Sequence, residues 1–228
     1  MSESPAAESS SPERPVVGIL GAGRAGTAFA RTLLAAGVDV DICSTRSPRA
    51  LQHHLKIYAP GTAPVWPEEI AVRTRQVGPG IVILAIPQEE LDDVDPQWVS
   101  GTVLVDATNT WQDELLPGWL EAAIAEQLPT SMAIAGHFGR ARVVKALNHI
   151  SHHDVDKEAQ PDMPLSQRRA VAVAADDEEA RGLVMGLLVR MGFDPVSVGA
   201  LAAGRIMEPD GPLFNRPLRR DDILRYAR

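Results

Sequence analysis

Three glycines, Gly21, Gly23 and Gly26, stand in G-x-G-x-x-G spacing within "GILGAGRAGTAFARTLLAAG". Each has a separate physical use at a strand-to-helix turn. The first lets the chain turn tightly. The second removes a Cβ from the path of a bulky anion. The third lets helix and strand pack closely. An anion placed there meets unpaired amide N–H groups and the positive end of the helix dipole. The pattern follows an apolar run, Val16–Leu20, and opens a segment with apolar residues at helical spacing, Phe29, Leu33 and Leu34. That context makes Gly21-Ala22-Gly23-Arg24-Ala25-Gly26 a candidate dinucleotide pyrophosphate site.

A second strand, Val38–Ser44, ends in Ser44-Thr45-Arg46, with Arg49 one turn further on. An acidic residue at this place suits a free ribose 2′-OH, whereas small polar and cationic residues suit a 2′-phosphate. The planar guanidinium of Arg46 matches a phosphate with two parallel hydrogen bonds. NADP(H) is therefore expected over NAD. Asp39 and Asp41 lie earlier in the strand and read as solvated residues of its polar face.

Other elements must place further residues beside this turn. Ile81–Pro87 and Thr102–Asn109 are apolar strands, and ligands bind outside the carboxyl ends of parallel strands. Ala85, Ile86, Pro87 and Asn109 are thus candidates to line the cofactor. Asn109 could equally cap a following helix. Helices are expected over Thr27–Ala36, Arg49–Tyr58, Leu115–Leu128 and Asp177–Met191, and strands over Ala141–Asn148, Ala170–Asp176 and Asp194–Leu201. A short helix follows the last strand. His149–Gln167 reads as a loop or lid. Alternating strands and helices predict an α/β fold, a Rossmann-type doubly wound sheet, mostly parallel, with a small C-terminal α/β extension. The expected organisation is a disordered tail over 1–15, a dinucleotide-binding domain over 16–150 and an acceptor domain over 151–228.

Composition excludes several functions. With 22 Lys and Arg against 30 Asp and Glu, the net charge is −8, so no nucleic-acid partner is expected. Cys43 is the only cysteine, which rules out an intrachain disulfide and a cysteine-built zinc site. His149-x-x-His152 has metal-ligand spacing without a carboxylate at motif distance, and no metal is expected. The first residues lack a signal-peptide pattern and no run is long enough to span a bilayer, so the expected location is cytoplasmic, with no membrane partner. Trp66, Trp98, Trp111 and Trp119 read as packing residues, although Trp111, after a site-bearing strand, could wall a planar substrate. The arginine-rich C-terminus reads first as a solvated tail. A cover over an anionic ligand and a subunit contact are the alternatives.

The segments "GILGAGRAGTA", "STRSP", "VILAIP", "VDATNTW", "RVVKALNHI", "RRAVAVAADDEEAR" and "GFDPVSVGALAAGRIMEPDGP" together resemble the deazaflavin-dependent NADP oxidoreductases, over about Val16 to Phe214. That resemblance implies hydride transfer between NADP(H) and coenzyme F420, with the two rings supplying the electronic demand and no side-chain base. It places the 2′-phosphate on Thr45 and Arg46, and nicotinamide near Ile86, Pro87, Lys145, Ala146 and Asn148. It places the deazaflavin against Gly199, Ala200, Leu201 and Met207, and implies a homodimer. Thr45 stands where some relatives carry a second cation. The competing functions are NADPH reduction of another acceptor (a flavin, ferric chelate or imine) and a redox sensor that binds NADP(H) without turnover.

Overall fold

The computed structural model describes residues 14–227. The tail expected over 1–15 lies almost wholly outside the described residues. In chain order the elements are β1 (Val16–Leu20), α1 (Arg24–Ala35), β2 (Asp39–Cys43), α2 (Pro48–Tyr58), the two-residue β3 (Ala63–Pro64), α3 (Ile70–Gln76), β4 (Ile81–Leu84) and β5 (Val103–Asp106). Then come α4 (Gly118–Ala125), α5 (Thr130–His137), β6 (Arg142–Lys145), α6 (Val155–Glu158), β7 (Ala170–Ala175), α7 (Glu178–Met191), β8 (Asp194–Gly199) and α8 (Arg220–Leu224). All eight strands form one sheet in the order β3-β2-β1-β4-β5-β6-β7-β8. The order reverses at β1/β4, where a doubly wound sheet opens its ligand crevice.

The apolar runs become strands because both faces of this sheet are covered. Ile19, Ile83, Val105 and Val144 pack on one face with Phe29 and Leu33 of α1 and Val184 and Leu188 of α7. Leu20, Leu84 and Leu104 pack on the other with Ile70 of α3, Leu120 of α4 and Ile134 of α5. Such strands read as continuous apolar runs rather than alternating ones. α3 approaches β1 so closely that a Cβ on Gly18 would lie 2.6 Å from Cγ1 of Ile70.

One pairing departs from the rest. β6 and β7 are antiparallel, and β8 then runs parallel to β7. A single row of paired residues crosses the sheet: Cys43, Leu20, Leu84, Asp106, Lys145, Ala174 and Gly199. Beyond that row, β1, β4 and β5 lead to Gly21, Ala85 and Ala107, while β8 leads to Ala200 on the opposite side.

Several expectations are corrected. The helix expected over Leu115–Leu128 is confined to Gly118–Ala125, with Pro117 immediately before it. Residues 110–117 form an irregular loop, so Asn109 caps no helix. Asp41 is buried and paired with Arg73 of α3 at 2.6 Å rather than solvated. Trp66 and Trp111 are half exposed and do not serve as core packing. Two of the C-terminal arginines, Arg219 and Arg220, are staples rather than solvated side chains. Arg219 donates to the Gln167 and Arg168 carbonyls, and Arg220 to Asp194 and the Pro195 carbonyl.

Candidate functional site

The glycine turn divides its three positions by what a side chain would meet. Gly21 has φ +113, and a Cβ there would collide with the Ala85 carbonyl oxygen. A Cβ on Gly26 would collide with the Gly21 carbonyl oxygen. Gly23 differs: a Cβ would meet nothing within 4 Å. Gly21 and Gly26 are therefore required by packing, whereas Gly23 is bare toward open space. It is also the N-cap of α1 and offers no side-chain cap. The first turn of α1 lacks an acidic side chain, so its amide donors are left for a ligand.

That open space belongs to a cavity of about 410 Å³ at the switch point. Gly21, Ala22 and Gly23 form its floor, Ser44, Thr45 and Arg46 one end, and Ala85, Ile86 and Pro87 the facing wall. His54 of α2 and Trp98, which the sequence reading did not single out for the site, also line it. The Nε2 of His54 lies 3.0 Å from the Ala22 carbonyl oxygen and fastens the glycine turn to α2. The hydroxyl of Ser44 accepts a hydrogen bond from the Arg46 amide at 3.1 Å, shaping the turn after β2, while the Arg46 side chain is exposed. Cys43 lines the cavity too. Burial pushes its thiol up to about 12, with Glu68 and Asp41 adding to the effect. It is held as a thiol and supplies no nucleophile.

The other residues singled out in the sequence lie elsewhere. Arg24, Ala25 and Gly26 begin α1, and Arg49 lies on exposed α2 surface. Asn109 and Asn148 bind each other: the Asn148 side-chain amide donates to Asn109 Oδ1 at 3.0 Å, and Asn109 donates to the Asn148 carbonyl at 3.0 Å. Asn148 also donates to the Met207 carbonyl at 2.7 Å, joining the β5 and β6 exits to the C-terminal unit. Leu147, in the left-handed region at φ 68, turns the chain into this bridge.

Lys145 and Ala146 are wholly buried rather than facing the cavity. The Lys145 ammonium lies 3.1 Å from Asp106 Oδ2 and 3.1 Å from Glu208 Oε1, and donates to the Thr108 carbonyl at 2.8 Å. Burial opposes its charge, but the two carboxylates outweigh burial and raise its pKa above the ordinary lysine value. Ser131 and Thr108 donate to Asp106, and Gln88 donates to Thr108. Thr130 donates to Glu208, and Thr110 to Gln88. This buried network fixes the loop after β5 beside the Ala85–Pro87 wall. None of Gln88, Asp106, Thr108, Ser131 and Glu208 carries a sequence signal for it, because their partners lie far away in the chain.

Gly199, Ala200 and Leu201 are not brought to the cavity. The reversal at β7 carries the chain after Gly199 away from Gly21 and Ala85. Leu201 and Met207 are buried in the core, and only the Met207 carbonyl reaches the asparagine pair.

His149 is buried, with Nε2 accepting from the Ala172 amide at 3.2 Å. Burial, with Arg169 and Lys145 nearby, depresses its pKa from 6.5 to about 3. The folded state thus holds it neutral, whereas the unfolded chain protonates it near 6.5. Its contribution to stability is complete above about pH 6.5 and is lost as pH falls toward 3. Urea unfolding across that range should show wild type losing on the order of a few kcal/mol more than His149→Gln. Equal pH dependence in the two proteins would contradict the assignment. Among the described residues no group of three or more His, Cys, Asp or Glu side chains could hold a metal ion, and no helix is long and apolar enough to cross a membrane.

With the glycine turn, the cavity and the switch point in place, comparison with known proteins shows what the chain is similar to. Residues 16–110 match the family model of the NADP oxidoreductases, coenzyme F420-dependent. The matched segment spans β1 to the β5 exit and includes every wall of the cavity. Across the longer chain, the rat (Rattus norvegicus) metalloreductase STEAP3 is 28% identical over 198 residues, 86% of this chain. The match covers only 36% of that relative's length. A hypothetical protein from Sinorhizobium meliloti superposes with TM-score 0.72 at 25% identity, covering 90% of this chain and 96% of its own. A structure from Arthrobacter sp. FB24, described as a "putative f420 dependent nadp-reductase", superposes with TM-score 0.66 at 20% identity, covering 90% and 99%. The doubly wound fold extends through the C-terminal unit in both.

Proposed function

We propose that the protein transfers a hydride between NADP(H) and the deazaflavin coenzyme F420. The observation that carries the NADP(H) part is Gly23. Its bare face opens on the cavity that Thr45 and Arg46 also line, at the uncapped start of α1. In this reading the pyrophosphate lies over Gly21–Gly26, the 2′-phosphate on Thr45 and Arg46 with Arg49 nearby, and nicotinamide beside Ile86 and Pro87. The cofactors supply the hydride chemistry, and the protein positions them and excludes water. The match of residues 16–110 to the F420-dependent family model supports F420 as acceptor.

A second reading, reduction of a different acceptor such as a ferric chelate, is favoured by the likeness to the rat metalloreductase over 86% of the chain. Mixing the NADPH-loaded protein with F420 separates the two: bleaching of the deazaflavin's visible band is expected.

Arg46 gives the cofactor test. A hydrogen bond to a charged group contributes about 1.5–3 kcal/mol. Arg46→Ala should therefore weaken NADPH binding roughly 10- to 100-fold and leave NADH nearly unchanged. Dissociation constants for both dinucleotides check this. Parallel losses, or none, would remove Arg46 from the 2′-phosphate.

A further inference from the structure

The glycine turn leaves one peptide unit without a steric guide. Gly23 is bare toward open space, and a glycine rotates its backbone at little cost. The Ala22–Gly23 unit is therefore free, on steric grounds, to turn either its carbonyl or its N–H toward a ligand at the start of α1. For an anion the difference is large, because an N–H attracts it and a carbonyl oxygen repels it. The peptide bond is trans, so these two groups point in opposite directions.

His54 makes the choice. A carbonyl oxygen only accepts, so the 3.0 Å contact between His54 Nε2 and the Ala22 oxygen requires a proton on Nε2. Nδ1 is then the nitrogen that titrates, and Nε2 donates from the neutral and the protonated ring alike. The donor is itself held in place. Leu51 and Leu55, on either side of it in α2, are buried, and the imidazole lies 4.6 Å from the Tyr58 ring between centroids. With the Ala22 carbonyl drawn toward α2, the Gly23 N–H points away from it. Among the described residues no backbone acceptor takes that N–H. His54 also lines the dinucleotide cavity, together with Thr45 and Arg46.

We infer that His54 is a positioning residue for dinucleotide binding: by holding the Ala22 carbonyl it aims the Gly23 N–H at the pyrophosphate. This rests on the reading that a dinucleotide occupies the cavity, and it adds the residue that orients the turn. The pyrophosphate is common to NADPH and NADH, so His54 serves both, whereas Arg46 serves only the 2′-phosphate.

The test titrates the full chain with NADPH and with NADH by calorimetry, beside thermal unfolding. His54→Phe keeps a flat ring beside Tyr58 but has no donor. It should weaken both dinucleotides by about tenfold or more, as the loss of a hydrogen bond to a charged group implies. His54→Gln places an amide N–H near the Nε2 position and should restore most of that affinity. His54→Asn, one bond shorter, should not, and it supplies the same reading if the phenylalanine variant does not fold. At saturating NADPH the Gly23 amide proton should move downfield in wild type and His54→Gln, and less in the other two. Wild-type affinity in His54→Phe and His54→Asn, equal losses in His54→Gln and His54→Phe, a loss confined to NADPH, or the same Gly23 shift in every variant would overturn the inference. Gly23→Val keeps the two levels apart. If it loses NADPH while His54→Phe does not, the site stands and His54 does not position it. If Gly23→Val binds NADPH like wild type, the reading of the site fails, and this inference with it.

Discussion

Gly23→Val should abolish NADPH binding, by about 100-fold or more in affinity, while the protein stays folded. A Cβ at this position meets no protein atom within 4 Å. The valine therefore costs the fold little, but its methyl groups fill the space over the start of α1 where the pyrophosphate is proposed to lie. The neighbouring glycines provide the contrast. Gly21→Ala and Gly26→Ala drive a Cβ into backbone carbonyl oxygens, and Gly21 must also hold φ +113. Those two variants should lose thermal stability as well as binding. Calorimetric titration and thermal unfolding on all three separate the roles. A folded Gly23→Val protein with wild-type affinity would remove the glycine turn from the site.

Lys145→Met should destabilise the protein by roughly 3–5 kcal/mol, because it leaves Asp106 and Glu208 as buried carboxylates without their shared cation. The cost arises from the unpaired charges rather than from lost packing. Neutralising both partners in the same chain, as Lys145→Met with Asp106→Asn and Glu208→Gln, should recover more than half of it. Urea unfolding of the single and triple variants checks this. A single variant within about 1 kcal/mol of wild type would mean that the network is not held by charge.

Much of this architecture is legible in the residues. The runs at Val16, Ile81, Thr102 and Ala170 are long, apolar and bounded by Gly, Pro or polar residues, so strands buried on both faces can be placed from them. The glycine spacing and Ser44-Thr45-Arg46 can be read because each is a local motif with its own physical demand. The direction of β7 cannot be read that way. A strand carries no local mark of whether it will pair parallel or antiparallel; with β8 at the sheet edge beyond β5, β6 and β7, that reversal turns the chain after Gly199 away from the cavity. Lys145 shows a second limit. In sequence it is a cation at the carboxyl end of a strand, but its partners Asp106 and Glu208 are 39 residues before it and on the far C-terminal unit. Only the folded chain shows that its charge is already engaged. α3 has no such local mark either: Ile70–Gln76 is seven residues long and carries two arginines, too short to show a helical period.

The most direct measurement is a single turnover with NADPH deuterated at the transferring C4 position, mixed with F420 and excess protein. The account predicts that the deazaflavin's visible band bleaches and that the reduced F420 carries the deuterium. Bound NADPH with no bleaching, while a ferric chelate or an imine offered in its place is reduced, would contradict F420 as the acceptor.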